Sequence, residues 1–190
     1  MDAEIPSDNQ GTWNGQLGLE KDSIPAEMDV RVDVYVRSMA PPPATHEAQV
    51  SLIADLEALA AADVVDESTV TIWGERLCRC ETCRETGAGR AVLARVRSFE
   101  GWAADVDATV DLPFDFRRLD CEMTGASNEV IVPPRVTLGI HVEGTIRGVF
   151  PCVIDGVSIS ASDGLAMLRR ARQSGRAADG RQEELPATSR

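Results

Sequence analysis

The chain has 190 residues, 43% of them hydrophobic, enough for one well-buried domain. Acidic residues number 31 against 19 basic ones, the net charge is −12, and Lys21 is the only lysine. No apolar run approaches the roughly 18 residues that span a bilayer, which excludes a helical membrane protein and leaves a cytoplasmic one as the expectation.

High net negative charge works against a compact state by self-repulsion, and concentrated salt screens that repulsion within a few ångströms. An acidic chain that uses arginine in place of lysine and is rich in Ala and Val suits a salt-loaded cytoplasm, so a haloarchaeal origin is inferred. In that setting overall acidity does not exclude nucleic acid as a partner. A reducing cytosol leaves the five cysteines as free thiols, metal ligands or a redox pair.

Residues 1–28 carry Gly, Asn, Asp, Ser and Pro without periodicity, with neither the basic start nor the apolar stretch of a signal peptide. They read as a disordered arm in which Trp13 is incidental. Val30, Val32, Val34 and Val36 then alternate with Arg31, Asp33, Tyr35 and Arg37, which predicts a strand with one buried side. The run APPPA at residues 40–44 ends it. Thr45 is a candidate cap for a helix over 46–62, whose Leu52, Ile53, Leu56, Leu59 and Ala60 fall at helical spacing. Thr69–Trp73 reads as a second strand, parallel to the first across a βαβ crossover. A second helix is predicted over 87–106, capped by Thr86 and buried through Val92, Leu93, Val96, Phe99 and Trp102.

The remainder is β-rich. Strands are expected at Pro113–Met123, Glu129–Val132, Val136–Val142, Thr145–Ile154 and Val157–Ser160, with turns at Glu143-Gly144 and Asp155-Gly156. Ser160 or Ser162 caps a short helix ending at Arg172, and residues 173–190 read as a disordered tail. The fold class is α+β. The expected domain, 29–172, is a mostly antiparallel sheet with a leading β-α-β-α unit, two main helices on one face and a short C-terminal helix.

The stretch WGERLCRCETCRETGAGR, residues 73–90, packs Cys78, Cys80 and Cys83 into six positions. Structural zinc needs four ligands, usually two close pairs, and only Cys80-x-x-Cys83 forms one. Strand parity sends Cys152 to an apolar face with Ile146, Phe150 and Ile154, and Cys121 to one with Leu119 and Met123. Three loop thiols without a cofactor are therefore the expectation, with a zinc site at Cys78, Cys80 and Cys83 or a reversible thiol switch as alternatives. The same region is a basic island. Arg76, Arg79, Arg84, Arg90, Arg95 and Arg97 stand against Glu75, Glu81 and Glu85 in a chain that is acidic overall. Arginine forks at a helix start suit phosphate, which makes these six the candidate DNA contacts; the alternative is an ordinary solvated face paired with acidic neighbours. The two predicted main helices lie more than twenty residues apart, so a simple helix-turn-helix with its turn of about 3–4 residues is not what the spacing shows.

Val32–Ser38 with its proline stop, Ile72-Trp73-Gly74-Glu75-Arg76, the helix Ala88–Ala104 with Phe99 and Trp102, the segment Asn128–Pro134, and Pro151-Cys152 together resemble a haloarchaeal family. Some members of that family are labelled helix-turn-helix domain proteins. The resemblance covers roughly residues 30–170 and implies DNA binding.

Chemistry on a substrate is not expected. His46 and His141 are the only histidines, neither belongs to a nucleophile motif, and His141 shares parity with Gly139 and Glu143, which predicts a solvent-facing ring. Gly87-Ala88-Gly89 lacks the spacing and lysine of a phosphate loop. The leading reading is a helix-turn-helix-type DNA-associated regulator. The alternative is a non-catalytic module that binds a ligand or a protein partner.

Overall fold

The alternating valines form the centre of the fold. In a computed structural model describing residues 23–106, 108–120 and 127–183, the elements run β1 (Val30–Val36), α1 (Pro43–Ala61), β2 (Glu67–Ile72), β3 (Leu77–Cys78), α2 (Glu81–Glu85), α3 (Gly87–Asp105), β4 (Val110–Asp111), β5 (Asp115–Asp120), β6 (Ser127–Val132), β7 (Val136–Val142), β8 (Thr145–Phe150), β9 (Cys152–Ile154), β10 (Val157–Ile159) and α4 (Ala161–Glu183). The chain is α+β, as expected. The main sheet has the order β2-β1-β7-β8, and two three-stranded sheets have the orders β10-β9-β4 and β3-β6-β5. Among the described residues only β1 and β2 pair in parallel, in the predicted βαβ unit, and every other pairing there is antiparallel.

Register explains the two cores. Val30, Val32 and Val34 stand opposite Val142, Ile140 and Leu138. Since side chains alternate across a strand, this set shares one face of the sheet. There it meets Leu52, Leu56 and Leu59 of α1 and Leu165, Met167 and Leu168 of α4. On the other face, Tyr35 and Val149 meet Leu93, Val96 and Phe99 of α3, together with Trp73, Leu77, Phe114 and Ile131. Gly139 makes this second packing close: a Cβ there would lie 3.2 Å from the Phe99 ring.

Several expectations change. Helices cover both faces of the sheet rather than one, so β1 is buried on both sides, with Asp33 and Tyr35 as enclosed as the valines. A polar-apolar alternation marks one solvated side only when nothing packs on the polar one, and here α3 does. His141, expected to face solvent, is 2% exposed for the same reason. The single strand expected over Thr145–Ile154 breaks at Pro151, which has no N–H for the ladder, and β9 joins a different sheet. A register shift at Ile140/His141 also moves Ile146 to the α3 side, while Phe150, Cys152 and Ile154 stay with the valine core.

The caps are mixed. Thr86 accepts from the Gly89 N–H at 2.9 Å, as predicted. Ser160 and Asp163 cap α4 reciprocally, backbone N–H to side chain in each direction. Thr45 is not a cap: α1 starts at Pro43, and the Thr45 hydroxyl accepts from Arg135 Nη1 at 2.7 Å.

The ends also differ. Residues 23–28, assigned to a disordered arm, pack on α4: Ile24 is buried in the valine core, and its N–H donates to the Ala171 carbonyl at 3.1 Å. The C-terminal helix is not short and does not stop at Arg172, but runs through residues 173–183, part of the expected tail. Gly175 permits this approach, because a Cβ there would meet the Ile24 carbonyl oxygen. Arg172, 1% exposed, donates to the carbonyls of Pro25, Met28 and Val64 and to Asp66. The pattern that hid this is compositional: the last helical turns are polar and glycine-bearing, and one buried arginine anchors them. Trp13 and Cys121 lie outside the described residues.

Candidate functional site

The stretch at residues 73–90 holds more structure than the loop expected of it. Leu77 and Cys78 form β3 against Ile131 and Val130 of β6. Cys80 precedes α2, and Thr86 alone separates α2 from α3. The Thr86 hydroxyl donates to the Cys83 carbonyl at 2.8 Å while accepting from Gly89, so one side chain ends the first helix and begins the second. The short α2 supplies a close partner for α3, across a connection tighter than the usual 3–4-residue turn.

The three thiols converge. The sulfurs of Cys78, Cys80 and Cys83 all lie within 4.8 Å of one another, each half-buried. The Cys80 backbone N–H donates to Cys78 Sγ at 3.4 Å. The Cys80 thiol is pulled below its usual range, chiefly by the backbone N–H of Cys83 and then by the Cys78 and Cys83 side chains. Cys83 is pushed up to about 11 by the sulfurs of Cys80 and Cys78. Cys152 differs in kind: it is 1% exposed in the valine core, and burial pushes its thiol up to about 12, in line with its strand parity.

The six arginines divide. Arg76, Arg84, Arg90 and Arg97 are exposed and carry no ion pair among the described residues. Arg90 and Arg97, seven positions apart on α3, share its outward side with exposed Ala91, Ala94 and Ser98. Arg79 is occupied: it pairs with Glu129 at 3.3 Å and sits 5.8 Å above the Phe116 ring. Arg95 turns inward, 3.8 Å from Asp33 and 5.9 Å above the Tyr35 ring. An outward phosphate contact from Arg95 would have to break that pairing.

Arg95 leads to a cluster that sequence reasoning missed. Asp33, mid-strand in β1, receives the Thr69 hydroxyl at 2.9 Å and the Tyr35 hydroxyl at 3.3 Å, with Arg31 at 3.4 Å. His141 Nε2 lies 3.2 Å from the same carboxylate. Burial alone would raise the Asp33 pKa; His141, Thr69 and Arg31 outweigh it and hold the group at about 2. Burial and the Asp33 charge together push Tyr35 up. The group works as a polar strut between the sheet and α3. Its sequence signal was an acidic residue in the middle of a valine strand, which looks the same as a solvent-facing one. His46, by contrast, is exposed.

Two open clefts flank the start of α1. One, of about 470 Å³, is lined by Ala48, Leu52, Val136 and Pro151, and the other, of about 210 Å³, by Arg37, Gln49, Glu75 and Arg135. No helix among the described residues is long and apolar enough to cross a membrane.

A family model described as a helix-turn-helix domain matches residues 25–173. No curated protein and no solved structure matches the chain.

Proposed function

Because the chain belongs to the helix-turn-helix domain family, we propose that it is a DNA-associated regulator that meets the duplex with the outward side of α3. The observation that carries this reading is the set of exposed arginines around α2, Thr86 and α3 that have no ion pair among the described residues: Arg76, Arg84, Arg90 and Arg97. Such cations neutralise phosphates and release counterions. The small side chains between Arg90 and Arg97 let the helix approach a groove without steric cost. On this reading the protein is non-enzymatic and works in a salt-loaded haloarchaeal cytoplasm, where electrostatic attraction is weak and apolar or base contacts contribute to binding.

Fluorescence anisotropy with fragments recovered by chromatin immunoprecipitation and sequencing tests it across a range of salt. Affinity should fall as salt rises, and Arg90→Glu with Arg97→Glu should flatten that dependence by about two units of log–log slope. Absence of discrete genomic peaks together with no retention at any salt overturns the reading.

A second reading is a module that binds a ligand or a protein partner. It is favoured by the cleft beside Leu52 and Val136, and by the edge strand β2, where Val70 and Ile72 are 46% and 57% exposed.

A further inference from the structure

We propose that Cys78, Cys80 and Cys83 together bind one thiophilic d10 cation of the zinc class, with its fourth coordination position open. This stands apart from the DNA reading and rests on how the chain delivers the three sulfurs.

The three sulfurs come from three settings. Cys78 ends β3, which is pinned to β6; Cys80 stands just before α2; Cys83 lies inside α2. All three nonetheless lie within 4.8 Å of one another. Thiolates bound tetrahedrally at about 2.3 Å from zinc stand about 3.8 Å apart, so small side-chain rotations close the site. Cys80-x-x-Cys83 has the spacing of a zinc pair, and the Cys80 N–H already donates to Cys78 Sγ, the kind of backbone support that orients metal-bound sulfur. Soft sulfur donors select zinc and its congeners over magnesium or calcium. Three thiolates around a divalent ion carry one net negative charge, and exposed Arg76 and Arg84 flank the stretch in sequence to offset it. The half-buried sulfurs remain open to an arriving ion, unlike the enclosed Cys152. A bound ion would tie β3 to α2 and, through Thr86, fix the start of α3.

Titration of the purified, reduced full-length chain with cadmium(II), followed by zinc(II) competition, tests the proposal. The expected result is a thiolate-to-cadmium charge-transfer band that saturates at one ion per chain, release of protons from the thiols, and displacement by zinc in large excess. Cys80→Ser and Cys83→Ser should each weaken binding at least tenfold, with circular dichroism reporting that each variant is folded. Cys121→Ser should bind as the parent does. The absence of a saturable band, unchanged binding in both Cys80→Ser and Cys83→Ser, or loss of binding in Cys121→Ser overturns the three-thiol site.

Discussion

His141 Nε2 lies 3.2 Å from Asp33 Oδ2, and both side chains are at most 5% exposed. The two residues sit on adjacent strands, on the face that α3 covers. Thr69, Tyr35 and Arg31 converge on the same carboxylate, and Arg95 reaches it from α3. A buried carboxylate is costly unless it is well paired, and this one is held by groups from β1, β2, β7 and α3.

The pH dependence of stability follows from that pairing. The Asp33 carboxyl is lowered from 3.8 to about 2 in the fold. A carboxyl held below its unfolded value contributes stability that is complete above that value and is lost as pH falls through the folded one. Urea denaturation of the parent and Asp33→Asn should show a stability gap at neutral pH that narrows between pH 3.8 and about 2. A gap that keeps its size through that window contradicts the assignment.

Arg95 and Arg90 should behave as opposites although both lie on α3. Arg95→Glu brings a carboxylate toward Asp33 and should cost about 1 kcal/mol, a modest figure because Arg95 is 32% exposed. Arg90→Glu, on the outward side, should stay within about 0.5 kcal/mol of the parent while weakening DNA retention. Urea midpoints and anisotropy on the two variants separate a folding role from a binding role.

Glycine substitutions give a paired test of packing. At Gly164 an added Cβ would lie 2.5 Å from Phe150 Cδ2, and Phe150 is fully enclosed, so Gly164→Ala should cost about 2 kcal/mol through overpacking. At Gly101, inside α3, an added Cβ meets nothing within 4 Å. Gly101→Ala should therefore stabilise by about 1 kcal/mol through helix propensity alone. Thermal denaturation of both variants reads the two signs.

What the sequence made legible was whatever has a local period. β1, its parallel partner β2, both main helices and the hairpin at Glu143-Gly144 were readable from alternation, helical spacing and turn residues. So was the burial of Cys152. What stayed hidden depended on contacts distant in sequence. Asp33 and His141 looked solvent-facing because parity names a side of the strand and not what covers it. The strand β3 and the helix α2 are two and five residues long, too short to show a period. The convergence of three thiols depends on that pair of small elements, which is why spacing alone favoured a loop. Among the arginines, sequence identified the island, but it could not tell outward Arg90 and Arg97 from Arg95, which Asp33 holds.

Arg172 carries the last prediction, because one guanidinium closes the seam between the two ends of the described chain. Its donors reach the carbonyls of Pro25, Met28 and Val64, and Nη2 pairs with Asp66 at 2.9 Å. Asp66 in turn accepts from the Val30 N–H at 2.7 Å, where β1 begins. Arg172→Met keeps the apolar stem but removes the guanidinium from the Val64 and Met28 carbonyls, while Pro25 and Asp66 keep the Met28 and Val30 N–H donors, and it should cost about 3 kcal/mol. Arg172→Lys should recover only part of that, because one ammonium cannot span the same fork of acceptors. The loss should also be local. Hydrogen exchange should accelerate first at Ile24, whose N–H donates to Ala171, and around Asp66, while amides at the centre of β1 and β7 keep their protection. Uniform acceleration across the sheet would show that Arg172 supports the fold as a whole and not that seam.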